Sequence, residues 1–136
     1  MAPFRHRIRV RYNECDQQDA VFNSNYLVYM DVTLTEMWRA TFGSYAAMAE
    51  LGVDLVVAEA NVRFRVPARF DDELDVAATI ESLGETSMTT RFDVTRGAEE
   101  IAVGLLRHVF VKLEGGKTPI PPVVREGLAK YVDEAG

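Results

Sequence analysis

A run of short polar side chains precedes a long amphipathic segment near the start of the chain. Residues 14–25 read ECDQQDAVFNSN, so carboxylates, glutamines and asparagines crowd one short stretch. A carboxylate can act as a nucleophile or a general base, and a helix start offers unpaired N–H groups that stabilise developing negative charge. Aspartate is also common in turns. Asp16 therefore either holds a turn or takes part in chemistry at the helix start, and its type alone leaves both roles open.

The other reactive residue types form no recognisable catalytic or metal-binding pattern. Cys15 is the single cysteine, so no internal disulfide is possible, and we interpret it as a small half-buried residue rather than a nucleophile. His6 and His108 form no dyad in the sequence, and His108, within an apolar segment, is expected to be a hydrogen-bonded core residue. No histidine and cysteine pair has metal-ligand spacing, and no phosphate-binding or dinucleotide motif occurs. Neither a metal nor a prosthetic group is predicted.

The polar run is expected to connect a strand to a helix. Residues 6–12 alternate in polarity, with Ile8, Val10 and Tyr12 on the apolar side of a half-buried strand. Residues 13–22 are expected to be irregular. Helix capping is predicted at residues 23–25, an end is predicted at Gly43, and an early Asp31 suits the positive end of the helix dipole. The apolar face of this helix is expected to contain Leu27, Met30, Leu34, Met37, Trp38 and Phe42.

Most of the remaining chain shows the period-two alternation of strands. A short helical turn is predicted at 45–51 and a final helix at 123–134. Between them, strands are predicted at 53–66, 73–82, 86–95 and 100–113, and the short turns that join them require antiparallel neighbours. An apolar sheet face needs a cover, and the long helix is the only large candidate. The sequence therefore predicts one α+β domain spanning residues 1–136, in which a curled antiparallel sheet of about five strands wraps a long helix.

The overall charge and hydropathy exclude several kinds of partner. The chain has 136 residues and a formal net charge of −6, so the basic footprint of a nucleic-acid-binding domain is absent. The first residues lack the apolar stretch of a signal peptide, and no apolar run approaches the ~20 residues that a membrane helix requires. We therefore predict a cytoplasmic protein that binds neither nucleic acid nor membrane.

Two blocks of the sequence resemble a known family. The first block matches at fixed spacings from Val10 to Glu36, and the second is VPARFDDEL at residues 66–74. Both are similar to the hotdog-fold acyl-CoA thioesterases of the 4-hydroxybenzoyl-CoA thioesterase type, whose first block reads roughly V-R-Y/F-x-E/D-x-D-x-x-G-x-V-Y-H/N-x-N-Y. The first block is carried by Val10, Arg11, Tyr12, Asp16, Val21, Asn25, Tyr26, Leu27, Thr35 and Glu36.

The resemblance implies a hotdog fold, a reaction and roles for particular residues. Members hydrolyse a thioester of coenzyme A, so coenzyme A is part of the substrate and no separate cofactor is implied. Asp16 matches the catalytic acid, which acts as nucleophile or general base, and the backbone N–H at Asn23 matches the group that polarises the thioester carbonyl. The residues expected to contact substrate are Asp19, Val21, Phe22 and Tyr26, although Tyr26 is interpreted first as a packing residue. Asp31 and Glu36 on the helix are reserve candidates for the catalytic acid.

The resemblance also implies oligomers. Members pair as dimers with the active site at the interface, and often as tetramers, so a homodimer and a dimer of dimers are expected. The coenzyme A phosphates require local basic residues despite the acidic total. The candidates are Arg63, Arg65, Arg69, Arg91 and Lys112, and the residues that could line an apolar acyl pocket are Phe22, Leu27, Met30, Met37 and Val57.

One position departs from the family pattern and keeps alternatives open. The family's glycine three residues after the catalytic acid is Asp19 here, which adds a second carboxylate near Asp16 or crowds the pocket. A non-catalytic protein that binds acyl-CoA or a partner is therefore one alternative, and a thioesterase acting on acyl-carrier protein is another. A hotdog dehydratase lacks support because its paired histidine and aspartate near the helix are missing. Small or medium aliphatic and aryl acyl groups both remain open.

Overall fold

The structure is a computed structural model that describes residues 3–133. The long helix is α1 (Ser24–Phe42), followed by the short α2 (Ala46–Glu50), and α3 (Pro122–Leu128) lies near the end. The strands are β1 (Phe4–Arg9), β2 (Val53–Phe64), β3 (Glu73–Leu83), β4 (Ser87–Arg96) and β5 (Glu99–Lys112). Single 3-10 turns occur at Tyr12–Glu14 and Ala129–Tyr131.

The five strands form one antiparallel sheet in the order β1-β3-β4-β5-β2. The short turns between β3, β4 and β5 make these strands direct neighbours, while β1 and β2 form the two edges. Breaks in register occur between Val57 and Glu59 on β2 and between Ile80 and Ser82 on β3, where bulges increase local twist. The predicted α+β hotdog architecture, a curled sheet around one helix, is confirmed.

Helix α1 packs closely against the inner face of the sheet. Met30, Met37 and Trp38 are buried among inner-face residues such as Phe92 and Phe110. A Cβ at Gly104 on β5 would lie 2.4 Å from the Sδ atom of Met30, far inside van der Waals contact. A larger residue at this position would force the end of the Met30 side chain to move, so glycine suits the close packing of the helix on the sheet here.

Several local expectations are wrong in detail. The buried helix face contains Tyr26, Tyr29 and Thr33, whereas Leu27 is exposed, because α1 packs mainly against β1 and β3 at one edge of the sheet. Tyr12 is 79% exposed, since β1 ends at Arg9 and the chain enters a 3-10 turn.

The predicted helix-dipole and final-helix features also differ from the structure. No acidic residue lies in the first turn of α1, so Asp31 does not complement the helix start. The last helix ends at Leu128 rather than 134, and residue 134 lies outside the described residues.

Candidate active site

The polar run forms a tight hairpin-like loop that leads into α1. Cys15 and Val21 form an antiparallel bridge. Inside it, the Asp16 N–H donates to the Ala20 carbonyl at 2.9 Å, and the Asp19 N–H donates to the Asp16 carbonyl at 3.0 Å. The loop is therefore fixed by its own backbone rather than irregular, and Asp16 stands at its turn.

The two carboxylate oxygens of Asp16 have different surroundings. Oδ1 accepts the Gln18 N–H at 2.8 Å and, more weakly, the Ala20 N–H at 3.4 Å, which is an Asx-turn arrangement. No described residue donates a hydrogen bond to Oδ2, and the side chain is exposed. Both roles considered for Asp16 are therefore compatible, because one oxygen holds the turn and the other is available for chemistry.

Asp19 has a backbone conformation that favours glycine, which is the residue of the family pattern at this position. Its φ is +62°, in the left-handed region that aspartate tolerates better than most residues. The substitution therefore retains the shape of the loop. Its side chain is exposed and adds negative charge beside Asp16.

The second family block braces this loop from the other side. The Val21 N–H donates to the Ala68 carbonyl at 2.8 Å, and Ala20 forms a bridge with Arg69. The Arg69 guanidinium donates to the carbonyl oxygens of Gln18 and Asp19 at 3.3 and 3.2 Å. Arg69 therefore holds the loop in place. The sequence did not indicate this role and predicted Arg69 only as a phosphate-binding candidate.

The start of α1 leaves two N–H groups available. Asn23 has helical φ and ψ of −55° and −35°, and its side chain makes no capping hydrogen bond. Asn25 and Tyr26 donate their N–H groups to the Phe22 and Asn23 carbonyls. Within residues 3–133 the Asn23 and Ser24 N–H groups have no hydrogen-bond partner. The prediction that the Asn23 side chain caps the helix is therefore wrong. Its backbone N–H is instead a free donor at the positive end of the helix dipole.

A surface depression of about 610 Å³ lies over the loop, lined by Tyr12, Asn13, Cys15, Asp16, Gln17 and Asp19. Phe22 is 51% exposed nearby, so its side chain is available to a ligand. Val21 and Tyr26 are buried, so they lie behind this surface rather than on it. Substrate contact by these two residues stays a prediction, and Tyr26 packs in the core as first interpreted.

Cys15 is poorly suited to nucleophilic attack, while Asp31 and Glu36 as reserve catalytic acids stay predictions. Burial and the nearby carboxylates of Asp19, Glu14 and Asp16 raise the pKa of the Cys15 thiol, so it remains protonated at neutral pH. Asp31 is exposed along α1, and Glu36 pairs with Arg39 at 3.3 Å.

His108 is buried, as expected, but not fully hydrogen-bonded. It is 3% exposed, and its Nδ1 atom has no hydrogen-bond partner among residues 3–133, which contradicts the expectation of a hydrogen-bonded core histidine. Burial lowers the pKa of His108, so the ring is neutral at pH 7.

Three of the predicted phosphate-binding residues meet in one groove on the outer face of the sheet. This groove has a volume of about 630 Å³, and its lining includes Arg63, Arg65, Arg91 and Arg107, together with Glu59 and Glu100. Arg65 pairs with Glu100 at 3.3 Å and Arg107 with Glu59 at 3.5 Å, whereas no described carboxylate pairs with Arg63. Arg69 and Lys112 lie outside the groove.

Glu14 is a central contact of the site that the sequence interpretation missed. Its carboxylate accepts the Tyr29 hydroxyl hydrogen at 2.8 Å, and its carbonyl accepts hydrogen bonds from Phe22 and Asn25 at 2.9 Å each. The signal was present, since the family pattern has an acidic residue two positions before the catalytic acid.

Among residues 3–133, no group of three histidine, cysteine or acidic side chains could hold a metal ion. In the same part of the chain, no helix combines the length and the apolar character needed to cross a membrane.

Comparisons with known proteins show which family the chain is similar to. The family described as "Thioesterase-like superfamily" matches residues 10–128. A putative esterase from Aquifex aeolicus is 30% identical over 126 residues, which are 93% of this chain and 98% of that protein. The acyl-CoA thioester hydrolase YbgC of Escherichia coli O6:H1 is 33% identical over 85 residues, 62% of this chain and 63% of that protein. A crystal structure from Thermus thermophilus, described as a thioesterase complexed with coenzyme A and Zn, has a TM-score of 0.83 at 28% identity and covers 96% of this chain and 94% of that one.

Proposed function

The chain belongs to the thioesterase-like superfamily, and from this membership we propose that it hydrolyses the thioester bond of an acyl-coenzyme A through Asp16. It is a thioester hydrolase at the level of its family, and the similar YbgC of Escherichia coli O6:H1 is described as an acyl-CoA thioester hydrolase. The observation that supports the assignment of Asp16 is the difference between the surroundings of its two carboxylate oxygens. One oxygen is anchored in the turn, the other has no partner among the described residues, and the loop that contains Asp16 leads into a helix whose first N–H groups are free.

In the proposed reaction the thioester carbonyl lies at the start of α1. Its oxygen accepts the Asn23 N–H, and the helix dipole stabilises the negative charge that develops on this oxygen. Asp16 then either removes a proton from an attacking water or attacks the carbonyl carbon itself, forming an anhydride that water cleaves. In both routes the C–S bond breaks, water supplies the acyl oxygen, and the coenzyme A thiolate leaves and takes up a proton. The two routes remain open.

Asp19 does not favour the non-catalytic alternative. Its positive φ reproduces what a glycine would provide at this position, so the loop that presents Asp16 keeps its shape. A thioesterase acting on acyl-carrier protein would use the same chemistry and differ only in what docks outside the pocket. We therefore retain acyl-coenzyme A as the substrate and treat the carrier protein as an outcome of the assay.

We propose a small or medium acyl or aryl group as the acyl part of the substrate. Phe22 and Leu27 at the start of α1 and Val57 on β2 are exposed apolar side chains that can line its pocket, whereas Met30 and Met37 are fully buried. The finer resemblance to 4-hydroxybenzoyl-CoA thioesterases, with its preference for an aryl group, stays a prediction.

We propose that the groove containing Arg63 takes the phosphates of coenzyme A. Arg63 has no carboxylate partner among the described residues, and the ion pairs of Arg65 and Arg107 are long and exposed, so a phosphate can compete for them. Arg63→Ala is expected to raise KM roughly tenfold for an acyl-CoA, because a charge-assisted hydrogen bond contributes about 1.5 kcal/mol. KM should not change for the same acyl group on pantetheine, which lacks these phosphates. Arg5→Ala, on another strand, is the control. If Arg63→Ala raised KM equally for the acyl-CoA and the acyl-pantetheine, the assignment would be contradicted.

A homodimer joined along β2 is also proposed. This edge strand has 12 residues, pairs on one side with β5, and leaves its other backbone edge open among the described strands. Such an edge can pair antiparallel with the same strand of a second copy through a two-fold axis. The dimer of dimers and the cytoplasmic location stay predictions.

The first experiment measures thiol release from a panel of short, medium, long and aryl acyl-CoAs by wild type and Asp16→Asn. Asparagine keeps a side-chain oxygen for the Gln18 N–H, so the turn survives, but it removes the nucleophile or base. A loss of about 10²–10⁴-fold in kcat with an unchanged unfolding temperature is expected. Full activity of a folded Asp16→Asn protein would exclude Asp16. Hydrolysis of acyl-carrier protein alone would select the alternative substrate.

A further inference from the structure

The carboxylate of Glu14 joins the loop that contains Asp16 to the buried side of α1. Its Oε1 atom accepts hydrogen bonds from the Tyr29 hydroxyl and from the Arg11 N–H, both at 2.8 Å, and its Oε2 atom pairs with the Arg11 guanidinium at 3.4 Å. The Glu14 side chain is only 14% exposed, and Tyr29 is buried. A glutamate this enclosed and this fully paired is not a solvated surface charge.

The main chain of Glu14 makes a second set of contacts, to the opposite side of the loop. The Glu14 carbonyl accepts the Phe22 N–H and the Asn25 side-chain N–H, each at 2.9 Å. Phe22 immediately precedes Asn23, and Asn25 lies in the first turn of α1. One residue thus contacts both ends of the loop and two successive turns of the helix.

These contacts connect the two groups on which the proposed reaction depends. Asp16 lies two residues after Glu14, and the free Asn23 N–H lies one residue after Phe22. The hydrogen bonds of Glu14 therefore limit how far the Asp16 carboxylate can move relative to the helix start. A displacement of about 1 Å between reacting groups can cost roughly 10²-fold in rate.

From this arrangement we propose that Glu14, held by Tyr29, is a positioning residue that fixes the Asp16 carboxylate relative to the Asn23 N–H. The proposal rests on the proposed function, since it assigns these two groups to the reaction. Glu14 touches neither the substrate nor the reacting atoms in this role. It acts through the position of the loop and determines kcat rather than substrate affinity.

The chemistry of Tyr29 suits a permanent contact. Burial, together with the hydrogen bond to the Glu14 carboxylate, raises the pKa of the Tyr29 phenol. The hydroxyl therefore remains a donor across the pH range in which such an enzyme is assayed. Glu14 makes its contacts within one chain, so the loop is positioned before any partner or substrate binds.

The kinetic test compares Glu14→Ala, Glu14→Gln and Tyr29→Phe. Glutamine keeps an oxygen that can accept from Tyr29 or Arg11, so it should rescue part of what alanine loses. We expect kcat to fall about 10²-fold in Glu14→Ala and about tenfold in the other two, with KM within about threefold of wild type. The double variant Glu14→Ala/Tyr29→Phe should be less impaired than the product of the single effects predicts, because each single substitution already removes the contact between these two side chains.

Two matched controls separate positioning from a general effect of these substitutions. Glu73→Gln neutralises another carboxylate that pairs with arginine, at 3.0 Å from Arg9, and Tyr131→Phe removes another phenol hydroxyl. Both should leave kcat and KM unchanged. If the folded Tyr29→Phe and Glu14→Gln proteins keep wild-type kcat, or lose kcat only in proportion to a lower unfolding temperature, the proposal is overturned.

A second measurement does not need activity. The amide exchange rate of Phe22, followed by NMR, reports its hydrogen bond to the Glu14 carbonyl. Tyr29→Phe should raise the exchange rate of the Phe22 amide at least about tenfold, while amides of β4 exchange as in wild type. An unchanged Phe22 rate would overturn the proposal that Glu14 and Tyr29 fix the loop. If wild type hydrolyses no thioester, the proposed function fails, and the exchange result still decides whether Glu14 and Tyr29 fix the loop.

Discussion

The Tyr26 hydroxyl oxygen accepts the backbone N–H of Ala68 at 3.1 Å, across 42 residues of sequence. Tyr26 lies in the first turn of α1, and Ala68 lies in the second family block, between β2 and β3. Both residues are buried. This hydrogen bond ties the helix start to the segment whose next residue, Arg69, braces the Asp16 loop.

Removal of that acceptor should destabilise the protein. Tyr26→Phe leaves the buried Ala68 N–H without a partner, so we expect the free energy of unfolding to fall by about 1–3 kcal/mol. Urea denaturation of both proteins at pH 7 measures the difference. Tyr26→Phe keeps the buried aromatic ring, so the variant should remain folded at 25 °C. An unfolding free energy equal to that of wild type would show that the Ala68 N–H finds another acceptor.

The charge of Asp19 should oppose the binding of an anionic substrate. Asp19→Asn removes the charge and keeps a residue that tolerates a φ of +62°, so it should lower KM for an acyl-CoA about twofold to fivefold with little change in stability. Asp19→Gly should act in the same direction. The effect should shrink as salt is raised, because the exposed charge is then screened. A KM that is unchanged at low salt would contradict this prediction.

A β-branched residue at position 19 tests the backbone argument separately. Asp19→Val should destabilise the loop by about 1–3 kcal/mol, since valine is strained at positive φ. Its thermal unfolding can be compared with that of Asp19→Asn, which removes the same negative charge. Equal stability of the two variants would show that the loop relaxes away from this conformation.

His108 should make the protein less stable in mild acid. Burial lowers the pKa of His108, against the opposing effect of Asp31, while in the unfolded chain the pKa is near 6.5. Below about pH 6.5 the unfolded state therefore binds a proton that the folded state does not. Stability is full above that pH and declines as pH falls toward the folded pKa, by at most about 1.4 kcal/mol per pH unit.

The variant His108→Leu isolates this contribution. Urea denaturation at pH 7.5 and 5.5 should show that wild type loses more stability between these values than the variant does. The variant also removes the unpaired Nδ1 atom, so its stability at pH 7.5 should be close to that of wild type. Parallel pH dependence of the two proteins would exclude His108 as the source.

The open edge of β2 should be the dimer contact. Val57 is 51% exposed on this strand, and Val57→Asp would place a charge within the proposed interface, so it should shift the protein toward monomer. Val123→Asp, at a residue equally exposed on α3, is the control. Sedimentation velocity at micromolar concentration distinguishes the two states and any tetramer. A Val57→Asp dimer as stable as that of wild type would place the interface elsewhere.

The sequence by itself determined most of the elements. Alternation of polar and apolar residues located β3 and β4 to within a few residues, because a half-buried strand repeats every second residue, and a long, mostly apolar run located β5 equally well. The short turns required antiparallel pairing. The family resemblance from Val10 to Tyr26 pointed to Asp16 as the catalytic acid, which stays a prediction, whereas Asp16 as a residue type was equally compatible with a turn.

Only the tertiary structure decided how the site is held. The rotation of the buried helix face toward Tyr26 and Tyr29 depends on the sheet edge against which α1 packs, which helical periodicity does not specify. Contacts such as Tyr29–Glu14, Arg69–Asp19 and Tyr26–Ala68 join residues 15, 50 and 42 positions apart. Local propensity contains no information about such pairs, because each depends on how the whole chain closes around the helix. The sequence thus specified the chemistry that is possible, and long-range packing fixed the geometry in which it can occur.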